Sequence, residues 1–312
     1  MSGGSADAGI PASGGGSATD GVAVPAPSAV GSGLFSAGVL AGQVVLVSGG
    51  GSGLGRAAAQ ELASLGAHVI VCGRRPEPIE ETAQLIGSRC EAAVCDIREE
   101  DQVDALVDDL VARHGRIDLL LNNAGGQFLS PAESISPKGF RTVMRLNVEG
   151  TWLMTHAVAT KAMIPAGDDG QPRGGKVLNV TLTPHAGFPG MAHSAAARAA
   201  VENLTKTLAT EWARFGIRLN AIAAGKFGTD TFLTKYPERM VATAAADAPL
   251  GRMGQPEEFA QLVAFLASPA GDHFTGSVLT LDGGRDNWKG SWPDAHEADE
   301  AGMPLQEARR AR

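Results

Sequence analysis

The chain has 312 residues, 44% of them apolar. That is enough for a full core, and with no apolar run near the roughly 20 residues of a bilayer crossing, no membrane span is expected. Lys and Arg number 26 against 34 Asp and Glu, a formal charge of −8, which is the wrong sign for a phosphate-backbone binder, so nucleic acid is not an expected partner. Cys72, Cys90 and Cys95 make an odd count of three with neither CxxC spacing nor an adjoining His pair. Neither a disulfide framework nor a zinc site is expected, and a reducing cytoplasm fits best.

Residues 1–41 are dominated by Gly, Ala, Ser, Pro and Val, a composition too poor in large apolar side chains to repay ordering, and they are predicted to be a disordered leader. The segment has neither the pattern of a secretion signal nor the Arg content of a transit peptide. From Gly42 to Gly284 short β-branched runs alternate with longer helical periods. Strands are expected at 44–48, 68–72, 91–95, 117–121, 176–181, 217–222 and 277–281. Helices are expected at 53–65, 76–86, 100–114, 139–162, 191–215 and 256–267, with Pro76 and Pro256 suited to helix starts. This alternation predicts an α/β fold: a single Rossmann-type, doubly wound domain whose seven parallel strands run in the order 3-2-1-4-5-6-7 with helices on both faces. Residues 285–312, with Trp288 and Trp292, have no clear period and read as a tail.

The first strand runs into Ser48-Gly49-Gly50-Gly51-Ser52-Gly53-Leu54-Gly55-Arg56 and then a helix. Gly49, Gly51, Ser52, Gly53, Leu54 and Gly55 would turn backbone amides and a helix N-terminus toward a pyrophosphate. A site for NAD places a carboxylate at the end of the second strand, where it holds the ribose 2′-hydroxyl. Here the residues are Cys72-Gly73-Arg74-Arg75. Arg74 and Arg75 suit a 2′-phosphate instead, so the expected cofactor is NADP(H).

The chain also carries Asn122-Asn123-Ala124-Gly125 after the fourth strand, Asn147 in Asn-Val-Glu-Gly, and Ala224-Gly225-Lys226-Phe227-Gly228-Thr229 after the sixth. With these motifs it resembles the short-chain dehydrogenase/reductases over Gly42 to Gly284. The resemblance implies that Asp96 and Ile97 lie near the adenine, and that Asn123, Ala124 and Gly125 line the middle of the cofactor site. It also places Gly225 and Thr229 near the nicotinamide. Ala224 stands where the family usually has Pro.

The family's Ser, Tyr and Lys, with the last two as YxxxK on a long helix, are not reproduced. The single tyrosine, Tyr236, lies after the sixth strand and is followed four residues later by Met240. Aligning Arg198-Ala199-Ala200-Val201 with the usual Lys-Ala-Ala-Val puts Ser194 at the tyrosine position, Arg198 at the lysine position and Thr181 at the serine position. Serine is no anionic base near neutral pH, and an arginine will not shuttle a proton, although Arg198 can still hold ribose hydroxyls. Alcohol oxidation is therefore disfavoured. Reducing an activated C=C bond requires hydrogen-bond donors for the charge collecting on a thioester oxygen, not a phenolate.

The stretches Asn122 to Glu133, Ala186 to Pro189 and His193 to Arg198 resemble trans-2-enoyl-CoA reductases, whose relatives the 2,4-dienoyl-CoA reductases also lack the usual YxxxK. The expected activity is thus NADPH-dependent reduction of 2-enoyl or 2,4-dienoyl acyl thioesters, with an acyl-CoA or other acyl thioester as partner. Charge on the enolate would fall to Thr181, Ser194 or His193, and Asn147 would serve a proton relay. Gln127, Phe128, Leu129, Thr183, Phe188 and Tyr236 would border the acyl pocket, with His185 at its rim. Each has a bland alternative as a packing, capping or loop residue. Carbonyl or alcohol chemistry through His193, and a non-catalytic NADP-binding sensor, are the rival readings. The Ala-rich helices at 139–162 and 191–215 suggest a homo-oligomer, a tetramer or dimer. The chain ends Arg309-Arg310-Ala311-Arg312 rather than Ser-Lys-Leu, so no peroxisomal address is expected.

Overall fold

The structure, a computed structural model, describes residues 31–287. The apolar run VVLVS forms β1 (Val44–Ser48), buried along its whole length. It leads through the glycine turn into α1 (Gly53–Ser64), followed by β2 (His68–Gly73), α2 (Pro76–Ile86), β3 (Cys90–Val94), α3 (Glu100–His114) and β4 (Leu119–Asn122). The expected long helix at 139–162 is a relay: α4 (Pro137–Met144), a wide π turn over Arg145–Glu149, α5 (Gly150–Val158) and a second π turn over Ala159–Met163. The remaining elements are β5 (Gly175–Leu182), α6 (Ala192–Trp212), β6 (Ile217–Ala224), α7 (Asp230–Lys235), α8 (Glu238–Ala242), α9 (Pro256–Ala267) and β7 (Val278–Leu281).

The strands pair in parallel in the order β3-β2-β1-β4-β5-β6-β7. This is the predicted doubly wound sheet, and its crevice lies at the carboxyl ends of β1 and β4, where the strand order reverses. Each face has its own apolar layer. Leu62 of α1 and Phe259 of α9 are fully buried on one, and Leu110 of α3 and Met154 of α5 on the other. Each such side chain stabilises the fold by roughly 1.5–3 kcal/mol.

Two boundaries differ from expectation. Residues 31–41, read as part of the leader, are folded: Leu40 is completely buried, and Ser32 donates from its backbone and its hydroxyl to Glu61 of α1, both at 2.7 Å. Leu40 supplies the burial, and Glu61 the polar partner, that a Gly/Ser-rich average hides. At the other end, Arg285–Asn287 form a short 3₁₀ turn, so the tail begins folded. Trp288 and Trp292 lie outside the described residues. Two short helices, α7 and α8, occupy what the sequence pattern treats as a loop after β6. Both are too brief to show a helical period.

Candidate active site

At the end of β1 the glycine turn is built with no room to spare. Gly49 sits at φ +67° and Gly53 at φ +54°, left-handed conformations that favour glycine. A Cβ on Gly55 would lie 2.3 Å from the Gly49 carbonyl oxygen, and one on Gly51 would meet Pro78 at 2.8 Å. Asn123 pins the turn from the neighbouring strand, its Nδ2 donating to the carbonyls of Ser48 and Gly49 at 3.2 and 3.1 Å. Ser48 Oγ in turn accepts from the amides of Asn123 and Ala124, each at 3.1 Å. The first amides of α1 are left without side-chain caps and face a cleft of about 610 Å³ lined by this turn. Its volume falls in the range usual for small-molecule sites.

Arg74 and Arg75, just beyond β2, line the same cleft, are exposed, and have no ion-pair partner among the described residues. Asp96 and Ile97 lie across from them in the cleft wall. Hydrogen bonds from Arg98 hold the Asp96 carboxyl below its ordinary range against the opposing effect of burial. Gly225 and Thr229 line the cleft beyond β6, with Thr229 Oγ1 capping α7 by accepting from Phe232 N at 3.2 Å. Lys226, which sequence reasoning passed over, also lines it and pairs with Asp247, which Arg285 reaches at 2.6 Å.

The inner wall departs from expectation in several places. Thr181 does not face the cleft: it is 2% exposed and donates to Glu202 Oε1 at 2.8 Å on α6. The next two residues, Leu182 at the end of β5 and Thr183 just beyond it, line the cleft instead. Thr183 Oγ1 is buried without a hydrogen-bond partner. Ser194 is fully buried, and its hydroxyl donates to Gln127 Oε1 at 2.7 Å, so it is committed to that loop rather than free to bind an enolate. Asn147, on the first π turn, is also fully buried, with both polar atoms on the Gly126 backbone: Oδ1 accepts from the amide at 2.9 Å and Nδ2 donates to the carbonyl at 3.0 Å. Its amide is satisfied by backbone, so its visible task is to hold the Gly125–Gln127 loop rather than to relay protons.

His193 is fully buried with neither ring nitrogen hydrogen-bonded, and the ring of Phe128 meets it edge-on at 4.2 Å. Phe128 and Leu129 are themselves 41% and 40% exposed and are not among the cleft-lining residues. Gln127, Thr183, Phe188 and Tyr236 do line the cleft. Arg198 lies behind the Gly125 loop, where Nη1 donates to the Val180 carbonyl at 2.7 Å while Nε has no partner. Burial lowers its pKa to about 10, with Tyr236 nearby acting in the opposite direction, so it remains a cation at neutral pH. His185 is spoken for at the rim, bridging Glu202 at 3.2 Å and Asp286.

Unpartnered polar atoms are uncommon in protein interiors, and each costs about 1–3 kcal/mol. Among the described residues they are Asn122 Oδ1 on β4 and those of Thr183, His193 and Arg198; the last three belong to α6 or its connection from β5, which is where the family resemblance places the reacting groups. A separate buried chain is purely internal: Asn122 Nδ2 donates to Thr155 and Asn179, and Asn179 Nδ2 to Thr205, tying β4, α5, β5 and α6 together. At the opposite end of the sheet His68, Glu91 and His114 approach closely enough for a metal. However, Arg113 contacts both Glu91 Oε2, at 2.6 Å, and His114 Nε2, at 3.2 Å, so the donors are already used within the protein.

Residues 49–286 match the family model described as Enoyl-(Acyl carrier protein) reductase. The chain belongs to the short-chain dehydrogenase/reductases. It is 38% identical over 258 residues to a probable 2,4-dienoyl-CoA reductase of Bacillus subtilis, covering 80% of this chain and 98% of that protein. It is 35% identical to the peroxisomal 2,4-dienoyl-CoA reductase of Danio rerio, covering 80% of this chain and 84% of that one. Among solved structures it resembles the citronellol catabolism dehydrogenase of Pseudomonas aeruginosa, with a TM-score of 0.71, 40% identity, and coverage of 81% of this chain and 98% of that chain. The short-chain reductase fold seats a nicotinamide dinucleotide, and the residues present fit one: the glycine turn packs too tightly for side chains and brings the uncapped first amides of α1 to the cleft.

Proposed function

We propose that this oxidoreductase reduces the activated C=C bond of 2-enoyl or 2,4-dienoyl acyl thioesters with NADPH. The observation that carries the reading is on α6. Ser194 and Arg198 stand four residues apart where the family usually has Tyr and Lys, and the Ser194 hydroxyl is given to Gln127. On α6, then, the usual acid–base pair of alcohol oxidation is missing, while donors for an oxyanion remain. The names of the dienoyl-CoA reductases that the chain resembles support the same class.

When bound, NADPH supplies the hydride. The chain's own residues do the rest. The glycine turn and the N-terminus of α1 bind the diphosphate. Arg74 and Arg75 take the 2′-phosphate, since no carboxylate stands at the end of β2 to repel it. Arg198, a fixed cation packed against Gly125, would stabilise the ribose end of the cofactor through that loop. Thr183, a cleft-lining residue whose buried hydroxyl has no partner, replaces Thr181 as the donor to the thioester oxygen; His193, fully buried beside Phe128 and outside the cleft lining, is a reserve donor only. Phe188 and Met191 give the acyl chain an apolar wall.

Exposed Phe140 on α4 and Trp152 on α5, 39% and 38% accessible, suit packing against a second copy, and a homo-oligomer belongs to this proposal. So does a cytoplasmic location, which three unpaired cysteines fit.

The test is the loss of NADPH absorbance with a medium-chain trans-2-enoyl-CoA, beside NADH and simple-ketone controls. Enoyl-dependent oxidation of NADPH is expected. Oxidation with the ketone alone would move the assignment to carbonyl chemistry, the reading that the citronellol catabolism dehydrogenase favours. Tight NADPH binding without turnover would make the protein a cofactor sensor.

A further inference from the structure

The protein's single tyrosine is absent from α6 but not from the cleft. We infer that Tyr236 is the proton donor of the reaction proposed above, placed there by a hydrogen-bonded chain from Ser194 through Gln127. The inference rests on that reading of the reaction and assigns a step it leaves open.

Tyr236 is the C-cap of α7, a short helix several of whose residues line the cleft, and Tyr236 lines it too. Phe232, one turn earlier, packs against it with ring centroids 5.0 Å apart. Gln127 Nε2 donates to the Tyr236 hydroxyl oxygen at 2.9 Å, while Gln127 Oε1 accepts from Ser194 Oγ at 2.7 Å. The order of donors matters. Ser194 uses its one proton on Gln127, which orients the amide so that its NH₂ faces the phenol. The phenol oxygen is then an acceptor in that bond, and its own proton has no acceptor among the described residues. Arg198 is the neighbouring cation, close enough for the two groups to interact electrostatically. The residue at the usual tyrosine position thus becomes the anchor of a chain that ends on a tyrosine from another element.

The chemistry balances with these groups. As hydride reaches the β carbon, the π pair of the C=C bond moves onto the thioester carbonyl, where Thr183 meets the charge. When that pair returns, the α carbon takes the phenol proton: the O–H bond of Tyr236 breaks and a C–H bond forms. The phenolate left behind keeps the Gln127 Nε2 donor, is favoured by the nearby charge of Arg198, and is reprotonated by water from the open cleft, since Tyr236 is only half-buried. A general acid of this kind contributes about 10²–10⁴-fold. In this scheme Tyr236 touches substrate and is catalytic, whereas Gln127 and Ser194 are positioning residues.

The test compares wild-type enzyme with Tyr236→Phe, Gln127→Leu and Ser194→Ala, using NADPH and a trans-2-enoyl-CoA, with NADPH affinity measured separately by fluorescence. Tyr236→Phe keeps the ring and its packing, so kcat is expected to fall about 100-fold or more with KM and NADPH affinity nearly unchanged. Gln127→Leu is expected to lower kcat in the same direction, and Ser194→Ala less so. Because the chain has one tyrosine, incorporated 3-fluorotyrosine gives a single fluorine resonance. It is expected to shift on adding the saturated acyl-CoA product to the NADP⁺ complex, and also in Gln127→Leu without ligand. A Tyr236→Phe rate within about threefold of wild type, well short of the loss expected for a general acid, overturns the inference while leaving the reductase reading intact. So does a fluorine signal indifferent to both changes. Absence of any enoyl turnover by wild-type protein overturns the reductase reading itself.

Discussion

The Arg198 guanidinium occupies the space beside Gly125 that a side chain would need: a Cβ on Gly125 would lie 2.4 Å from Nη2 and 3.1 Å from Asn147 Oδ1. Neither neighbour is free to retreat, because Arg198 Nη1 is bonded to Val180 O and Asn147 is bonded twice to Gly126. Gly125→Ala should therefore displace the cation behind the cleft as well as crowd the loop. Overpacking of this sort costs about 1–3 kcal/mol. We expect a matching loss of stability in urea unfolding and a fall in NADPH affinity of at least about tenfold, the equivalent of 1.4 kcal/mol. Unchanged affinity would show that Arg198 does not hold the cofactor.

On the proposed reading, Arg74 and Arg75 set the choice between the two nicotinamide dinucleotides. Both are exposed at the cleft with no ion-pair partner among the described residues, so removing them breaks no internal bond. A charge-assisted hydrogen bond is worth about 1.5–3 kcal/mol. The double substitution to Ala should weaken NADPH binding by roughly ten- to a hundredfold or more on that scale and leave NADH binding nearly unaltered. Fluorescence titration at two ionic strengths checks it, and the NADPH preference should shrink with added salt in the wild type only. Equal losses for both dinucleotides would place these arginines on the diphosphate instead.

Much of the fold was legible because its signals are local and regular. Each strand of the sheet is a short apolar run, and the glycine turn, with Asn123 beside it, is written in consecutive letters. Thr181 was misplaced because residues two apart on a strand share a face, so alternation cannot tell which of them reaches the open end of the sheet; Thr183 lies just beyond the end of β5, and no sequence signal marks that end. The π turn at Arg145–Glu149 is equally silent, since a helix with one widened turn has nearly the period of one without. The bond of Gln127 to Tyr236 spans 109 residues and joins two loops, where no periodicity operates. The carboxylates around His185 are likewise distant, one on α6 and one past β7.

Lys176 offers a test of how the last helix is fixed to the sheet. It begins β5, and its ammonium donates to the carbonyls of Leu266, Ala267 and Ser268 at 2.9, 2.9 and 2.7 Å, closing the C-terminal end of α9, while Asp272 pairs with it at 2.7 Å. A cation at that end of a helix both bonds the orphan carbonyls and meets the negative pole of the dipole. Lys176→Met keeps the stem's packing but strands the carbonyls, and should cost about 1–3 kcal/mol. Denaturant unfolding measures the loss, with NADPH affinity expected to stay close to wild type because the cleft lies at the other end of the strand.

His185 makes stability depend on pH. Burial alone would lower its pKa, but the hydrogen bond to Asp286 and the charges of Glu202 and Asp286 outweigh that, and the imidazole is held above its ordinary value. Because the folded value is the higher one, protonation favours the folded state. The stabilisation is complete below the unfolded value of about 6.5 and is lost as pH rises through the folded value. The side chain is 34% exposed, so the effect is less than about 1 kcal/mol once solvent screening is allowed for. In His185→Gln the melting temperature should change less between pH 6 and pH 9 than in the wild type, which should lose stability over the upper part of that window. A wild-type curve that instead rises with pH relative to the variant would mean that His185 is buried neutral, and that the link from β5 through Glu202 and Asp286 is not an ion pair.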